Sequence, residues 1–146
     1  MCIRDSHTRG SRLDQLERCD RLVFDLDPGE GVGWKEIVAA AREIRARLKE
    51  IKLQSFAKLS GGKGIHVVVP TSDVDWDAAK EFTQRIVRAM AADSPQRYVD
   101  RMTKSLRKGR IFIDYFRNSR EATSVAPYST RARPGAAVSA LSLIHI

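Results

Sequence analysis

Apolar residues recur along this chain with two different periods, and the changes of period predict six elements. Short runs of alternating or β-branched residues predict strands, and apolar residues spaced by three and four predict amphipathic helices. The predicted strands cover residues 21–27, 53–59, 65–69 and 110–115, and the predicted helices cover about 34–50 and 75–92. The order βαββαβ predicts an α+β fold of the ferredoxin-like or RRM-like kind, an antiparallel sheet with two helices on one face. In that layout the first strand lies between the third and the fourth.

The two ends of the chain lack this patterning. Residues 1–19 are polar and aperiodic, and residues 141–146 form a short apolar tail with no evident partner. We therefore assign residues 20–140 to one core and leave both ends unassigned. A cloning or assembly boundary is one explanation for these ends. On that explanation the first segment is non-native and the chain is a fragment.

Length and composition limit the chain to one domain or part of one. Its 146 residues are 42% hydrophobic and 30% charged, which is ordinary for a globular protein. The net charge of +8 and the pI near 9.9 favour a polyanionic partner such as nucleic acid or a nucleotide. Cys2 and Cys19 show neither metal spacing nor a disulfide framework, which fits a reducing compartment. No apolar stretch has the length of a membrane span, so we expect no membrane association.

The first predicted strand ends in two carboxylates on one face. Because side chains alternate along a strand, Asp25 and Asp27 face the side opposite to Leu22, Phe24 and Leu26. Two like charges repel each other unless a cation lies between them, and a divalent cation with a preference for oxygen ligands fits that position. An isolated pair of this kind is equally consistent with a strand that ends in water before a Pro-Gly turn.

Two other strands place polar side chains on the same open face. If the alternating apolar residues of these strands face the helices, Asp114 and His66 lie beside Asp25 and Asp27. Three aspartates around one or two divalent cations suit a two-metal phosphoryl-transfer site. A histidine in this position is expected to hydrogen-bond a nucleotide phosphate, although a lone histidine is more often structural.

A glycine-rich loop and two arginines are candidates for phosphate binding. Glycines in Ser60-Gly61-Gly62-Lys63-Gly64 allow backbone N–H groups to face an anion, and Lys63 adds a charge. The spacing is not that of a Walker A loop, and a simple hairpin turn explains the glycines as well. Arg107 and Arg131 flank the site if their loops fold over the open face; the alternative is a solvated basic loop.

Four segments carry motifs that occur together in one family. They are Asp25–Gly31, Ser60–Val67, Arg107–Asn118 and Thr123–Gly135. In this order and spacing they resemble the primase-polymerase domain of bacterial DNA ligase D, a member of the archaeo-eukaryotic primase superfamily that acts in non-homologous end joining. The resemblance extends from about residue 20 to residue 139. The family's N-terminal part, with its base-stacking aromatic residue and 5′-phosphate-binding lysines, has no evident match in residues 1–19.

The resemblance implies a nucleotidyltransferase with a divalent-metal site. The implied metal and catalytic residues are Asp25, Asp27 and Asp114, which bind two Mn²⁺ or Mg²⁺ ions. The implied nucleotide-binding residues are Ser60, Gly61, Lys63, His66, Arg107 and Arg131. The implied substrates are NTPs or dNTPs, with ribonucleotides preferred, and the implied partners are DNA ends or gapped DNA, a ligase module in the parent chain and Ku. A cytoplasmic, nucleoid-associated location follows from the same resemblance.

Two other functions share parts of this pattern. Phosphatases of the haloacid dehalogenase type also begin with a strand that ends in Asp-x-Asp, where Asp25 would be a nucleophile. The Pro28-Gly29 that follows and the βαββαβ order do not suit them. RRM-like RNA-binding modules have the same sheet order, but they place aromatic residues on the central strands, where this sequence has carboxylates.

Overall fold

Eight strands, two α-helices and one 3₁₀-helix make up residues 5–142, the part of the chain that the computed structural model describes. The strands are β1 (His7–Arg9), β2 (Arg18–Pro28), β3 (Phe56–Leu59), β4 (Ile65–Asp75), β5 (Tyr98–Val99), β6 (Ile111–Asp114), β7 (Thr123–Val125) and β8 (Ala140–Ser142). The helices are α1 (Trp34–Glu50), α2 (Trp76–Asp93) and the 3₁₀-helix Lys104–Arg107. No helix in residues 5–142 combines the length and the apolar character needed to cross a membrane.

The main sheet confirms the predicted architecture. Its strand order is β5-β6-β2-β4-β3-β8, so β2 lies between β4 and β6 as the βαββαβ pattern requires. All pairings in it are antiparallel except that of β5 with β6. A second sheet consists of β1 and β7. The chain is therefore a mixed α+β fold in which the strand carrying the two aspartates is central.

The core lies between the main sheet and the two helices. Leu22, Phe24 and Leu26 on β2 are almost completely buried there, together with alternate apolar residues of β4. The buried residues of α1 are Ile37, Ala40, Ala41, Ile44 and Leu48, and those of α2 are Trp76, Ala79, Thr83, Val87 and Met90. The side chains between the buried ones on β2 and β4 consequently face away from the helices, as the alternation predicts.

Several element boundaries differ from the predicted ones. The third predicted strand does not stop at Pro70 but continues to Asp75, because Pro70 lies beside an irregularity in the pairing with β2 where a missing donor is tolerated. The second predicted strand begins at Phe56 instead of residue 53. The backbone N–H of Leu53 donates to the carbonyl of Leu48 in the last turn of α1, so residue 53 belongs to the end of the helix and not to the strand.

Segments for which the sequence predicts no element also contain strands. Part of the first 19 residues forms β1 and the beginning of β2. The segment 93–109, between the second predicted helix and the fourth predicted strand, contains β5 and the 3₁₀-helix. The apolar tail pairs through β8 with β3. These pairings are long-range, and such short strands have no periodicity of their own to detect. The remainder of the two unassigned ends, residues 1–4 and 143–146, lies outside the described residues.

Candidate active site

A row of ionisable side chains crosses the face of the sheet opposite to the helices. Asp25 on β2 is paired in register with His66 on β4 and with Asp114 on β6. Lys58 on β3 is in turn the register partner of His66. Because directly opposed residues on neighbouring strands share a face, four strands bring Lys58, His66, Asp25 and Asp114 side by side.

Asp25 is buried and has a cationic or hydrogen-bonding partner at each oxygen. Its Oδ1 lies 3.3 Å from Nε2 of His66, and its Oδ2 accepts a hydrogen bond of 3.2 Å from Nε of Arg117. Burial by itself raises the pKa of Asp25, but the hydrogen bonds and charges of His66 and Arg117 outweigh it and hold the pKa below its usual value. Asp25 is therefore a carboxylate at neutral pH.

Asp114 is bound in a similar way. Its Oδ1 accepts a hydrogen bond of 2.7 Å from the backbone N–H of Phe116, and its Oδ2 lies 3.6 Å from Nε of Arg117. Burial raises the pKa of Asp114, and the hydrogen bond from Phe116 only partly offsets that effect. Arg117 therefore lies between the carboxylates of two different strands.

Asp27 is the member of the trio without such a partner. Within residues 5–142 its carboxylate makes neither a hydrogen bond nor an ion pair. Burial, together with the negative charges of Asp25 and Asp114, raises its pKa to about 6. The site therefore holds an uncompensated negative charge at neutral pH, which a bound cation would relieve.

The titration of Asp27 gives a first prediction. In the folded protein without divalent ions, Asp27 is expected to take up a proton near pH 6 instead of near its ordinary 3.8. Because its pKa is raised on folding, its contribution to stability is complete below about pH 4 and is lost as the pH rises through about 6. Carboxyl ¹³C NMR gives the midpoint, and urea unfolding of the parent and of Asp27→Asn at several pH values gives the stability difference. A midpoint near 4 would contradict the prediction.

The three aspartates fit a divalent metal site by the chemistry of their oxygens. Mg²⁺ and Mn²⁺ prefer oxygen ligands, and carboxylates are the commonest of these. In the part of the chain described, no group of three His, Cys, Asp or Glu side chains is already arranged to hold a metal ion. Two of the three carboxylates contact Arg117 instead. A change in these contacts would accordingly accompany metal binding.

Most of the sequence-predicted site residues line one cleft of about 330 Å³. Seven of the nine are in its wall: Asp25, Asp27, Ser60, Lys63, His66, Arg107 and Arg131. Asp114 is not in the wall, but it neighbours two residues that are, its register partner Asp25 and Arg117. Gly61 is not in the wall either, and it lies against Arg131, because a Cβ at Gly61 would come within 2.8 Å of that side chain.

Two buried polar atoms in this cleft wall have no hydrogen-bond partner among the residues that the structure describes. They are Nδ1 of His66 and Nε of Arg107. The guanidinium of Arg107 lies 4.0 Å above the ring of Phe112, which is why Phe112 is buried although it is on the open face. Buried groups without a partner are rare and costly, so these atoms indicate a missing polar ligand. With Lys63 beside them, that ligand is expected to be an anion.

The glycine-rich loop is a closed hairpin turn next to the cleft. Oγ of Ser60 donates to the carbonyl of Gly64 over 3.0 Å, and Gly61 has a positive φ of 66°. Gly64 lies against β2, since a Cβ there would come within 2.4 Å of the Leu26 carbonyl. The turn interpretation of these glycines is thus correct, and the loop nevertheless places Lys63 in the wall of the cleft.

Arg131 is nearly completely buried and already has partners. It donates to the carbonyl of Ser60, and its Nε donates to Oδ2 of Asp5 over 3.1 Å. Its position therefore links the glycine-rich loop to the N-terminal segment. Oδ1 of Asp5 also lies 3.2 Å from Nε2 of His7, so the same segment places His7 in the wall of the cleft.

Sequence reasoning did not assign a role to several residues at this site. The cleft wall also contains His7, Arg117, Ser124 and Arg133. Lys58 is buried, and its Nζ donates to the carbonyl of Val125 over 2.7 Å; burial lowers its pKa to about 8. The alternation on β3 gives a signal for Lys58, since it is two residues before Ser60 and opposite His66. His7 has no such signal, because it is in a segment without periodicity.

Comparisons with known proteins agree on one family. A family model described as the LigD primase-polymerase domain matches residues 1–141. The match includes the first 19 residues, which the sequence resemblance left out. A multifunctional non-homologous end joining protein LigD from Pseudomonas aeruginosa is 44% identical over 91% of this chain, and that from Mycobacterium tuberculosis is 40% identical over 82%. The chain spans 16% of the length of each of these two relatives.

A solved structure is similar to the chain as well. It is the polymerase domain from Mycobacterium tuberculosis ligase D in complex with DNA, with a TM-score of 0.83 and 39% sequence identity. The alignment covers 86% of this chain and 44% of that domain. The fold and the sequence therefore both point to the same family.

Proposed function

The chain belongs to the primase-polymerase domain family of LigD, and from this premise we propose that it transfers nucleotides to DNA ends or into gaps during double-strand break repair. In the proposed reaction the 3′-hydroxyl oxygen of a DNA end bonds to the α-phosphorus of an NTP or dNTP. The bond between that phosphorus and the β-phosphate oxygen breaks, and pyrophosphate leaves. Ribonucleotides are the proposed preferred substrates.

One observation carries this proposal. Asp25 and Asp114 are register partners, and Asp27 is two residues along on the same face, beside a cleft with unpartnered N–H donors. Carboxylates alone would repel a triphosphate, and a basic cleft alone would bind anions without reacting. Their combination is what phosphoryl transfer needs: a site for cations next to a site for phosphates.

The proposed roles follow from the positions of the side chains. Asp25, Asp27 and Asp114 would hold two divalent ions, Mn²⁺ or Mg²⁺. When bound, such ions neutralise the charge that develops on the reacting phosphate oxygens and favour ionisation of the attacking hydroxyl. The proposed triphosphate-binding donors are Nδ1 of His66, Nε of Arg107 and Nζ of Lys63. His66 can donate from Nδ1 while its Nε2–H faces Asp25 only as the doubly protonated imidazolium, which is the form that the proposal assigns to it.

The glycine-rich loop and Arg131 have an indirect part in the proposal. Ser60 and Gly61 shape the loop that presents Lys63, and Arg131 holds the loop through the carbonyl of Ser60. Ser60 and Arg131 also line the cleft, so their contact with the nucleotide is proposed as well. From the likeness to multifunctional LigD proteins, a ligase module in the same parent chain and Ku are proposed partners as well.

The two alternative functions have less support. A phosphatase nucleophile needs a free carboxylate oxygen, but both oxygens of Asp25 have partners and its side chain is only 6% exposed. The antiparallel sheet also differs from the parallel sheet of those phosphatases. An RRM-like module needs exposed aromatic rings on its central strands, and Phe112 is covered by Arg107.

Nucleotide addition to gapped DNA tests the proposal. Two proteins are assayed: the chain alone, and a fusion of the chain with the rest of the polymerase domain of the Mycobacterium tuberculosis relative. Each is given Mn²⁺ and either ribonucleotides or deoxynucleotides. We expect extension that requires the divalent ion and is faster with ribonucleotides. No extension by the joined protein, while the relative's own domain is active under the same conditions, would overturn the proposal.

A further inference from the structure

A single nitrogen of Arg117 lies between two carboxylates of the proposed metal site. Its Nε is 3.2 Å from Oδ2 of Asp25 and 3.6 Å from Oδ2 of Asp114. These oxygens belong to the two residues that are register partners on β2 and β6. The guanidinium therefore bridges carboxylates of two neighbouring strands.

The other oxygens of both aspartates have partners elsewhere. Oδ1 of Asp25 faces His66, and Oδ1 of Asp114 accepts the backbone N–H of Phe116. The two Oδ2 atoms are consequently the ones left for a cation, and Arg117 provides it. A guanidinium is a cation with fixed N–H directions, so it can compensate oxygens that a divalent ion would otherwise bind.

Arg117 is also placed so that it can leave. Its side chain is 39% exposed, whereas those of Asp25 and Asp114 are 6% and 13% exposed. Apart from the two carboxylates, its one further hydrogen bond within residues 5–142 is that of 3.2 Å from Nη1 to the carbonyl of Thr123. The carboxylates are held by the sheet, and the arginine is on a loop after it, so exchange of the arginine does not require the strands to move.

We propose that Arg117 is a resident counter-cation of the metal-free site, which a divalent ion must displace from Asp25 and Asp114 in order to bind. This inference rests on the proposed function, because it takes the three aspartates as the divalent metal site. Arg117 stabilises the folded chain without metal, since three neighbouring carboxylates repel one another when no cation is present. By the same contacts it weakens metal binding and sets the ion concentration at which the site fills. Arg117 thus acts through Asp25 and Asp114, by competing with the ion for their oxygens.

A purely structural role for Arg117 leads to the opposite expectation. If it served only to orient Asp25 and Asp114 for the metal, its removal would leave the carboxylates misplaced and weaken metal binding. If it is a competing cation, its removal leaves more negative charge at the site and strengthens metal binding. The sign of the change in metal affinity therefore separates the two roles.

The test measures Mn²⁺ binding to the whole chain without nucleotide or DNA, from the electron paramagnetic resonance signal of free Mn²⁺. For Arg117→Gln we expect a Kd on the order of ten-fold lower than in the parent, because a positive charge near the ion is removed. For Arg117→Lys we expect a smaller decrease, since an ammonium group is more strongly hydrated and bridges two oxygens less well. Mn²⁺ should also raise the thermal unfolding midpoint of Arg117→Gln by more than that of the parent.

Arg120→Gln is the matched control, because Arg120 is on the same loop and pairs with Glu17 and Glu121, away from the aspartates. Its Kd should equal that of the parent. Unchanged or weaker Mn²⁺ binding in both Arg117 variants would overturn the inference, and if Arg117→Gln does not fold, Arg117→Lys decides by the same criterion. If the parent binds no Mn²⁺, or Asp114→Asn binds it equally well, the metal site of the proposed function fails instead.

Discussion

The substitution Asp25→Asn is expected to lower nucleotide addition by a factor on the order of 10³ or more, the size of effect seen when a principal charge-stabilising group is removed. Asparagine has the same shape, so His66 and Arg117 keep a neighbour at each side of position 25. It lacks the negative charge, however, and Asp25 is the only one of the three aspartates that is adjacent to both others. Primer extension on gapped DNA with Mn²⁺ measures the loss.

Asp73→Asn is the control for this prediction. Asp73 is exposed, with a positive φ of 58° that asparagine also tolerates, and its one ion pair within residues 5–142 is with Arg18. Thermal unfolding of both variants separates a loss of chemistry from a loss of fold. Extension by Asp25→Asn within a factor of about three of the parent would contradict the assigned role, because a metal-bridging carboxylate cannot be dispensable. Release of phosphate from a small phosphomonoester, abolished by the same change, would favour the phosphatase.

The substitution Asn118→Ala is expected to lower the free energy of unfolding by roughly 2–6 kcal/mol, which is the cost of two unsatisfied buried backbone groups. Asn118 is 1% exposed. Its side-chain amide makes the two hydrogen bonds to the backbone of Val23 that a neighbouring strand would otherwise make. Oδ1 accepts the N–H of Val23 over 2.7 Å, and Nδ2 donates to the carbonyl of Val23 over 2.8 Å. The pairing of β6 with β2 ends at Asp25, so the asparagine extends the hydrogen bonding by one residue pair.

Urea unfolding of the parent and the variant measures this loss, with Ser119→Ala as the control. Oγ of Ser119 donates to the carbonyl of Phe116 over 3.1 Å at a half-buried position, so its removal should cost less than about 1.5 kcal/mol. A loss for Asn118→Ala no larger than that of the control would mean that water replaces the amide. In that case the hydrogen bonds of Asn118 to Val23 would not be what stabilises this end of β2.

The fold followed from the sequence because its signals are local. Alternation on β2 and β4 and the spacing of apolar residues on α1 were sufficient to predict which faces are buried, and α1 has the predicted bounds. The pattern was less decisive on α2, where Val87 and Ala89 are both apolar but only Val87 is buried. A stripe of alanines and valines at neighbouring positions leaves the direction of the buried face uncertain by about one residue, and the contacts with β2 decide it.

The candidate site was only partly predictable. Asp25, Asp27, Asp114 and His66 are on regular strands, where alternation alone puts them on one face. Arg107 and Arg131 lie outside the predicted strands and helices. The sequence therefore did not decide whether their side chains face the cleft or the solvent. The structure places both in the cleft wall, with Arg107 stacked on Phe112 and Arg131 bonded to Ser60. No period determines such contacts, because they depend on where a loop returns to the sheet.

The sequence by itself determined the order of the strands, the buried face of the sheet and the meeting of three carboxylates on the other face. Those properties depend on the two-residue period of a strand and on the standard βαββαβ order. Only the tertiary structure decided that Arg117 lies between Asp25 and Asp114, that Asn118 completes the pairing of Val23, and that Asp27 is left without a partner. These features join residues that are about 90 positions apart in the chain or on different loops. Their distances, and hence their charges and pKa values, exist only once the chain has folded.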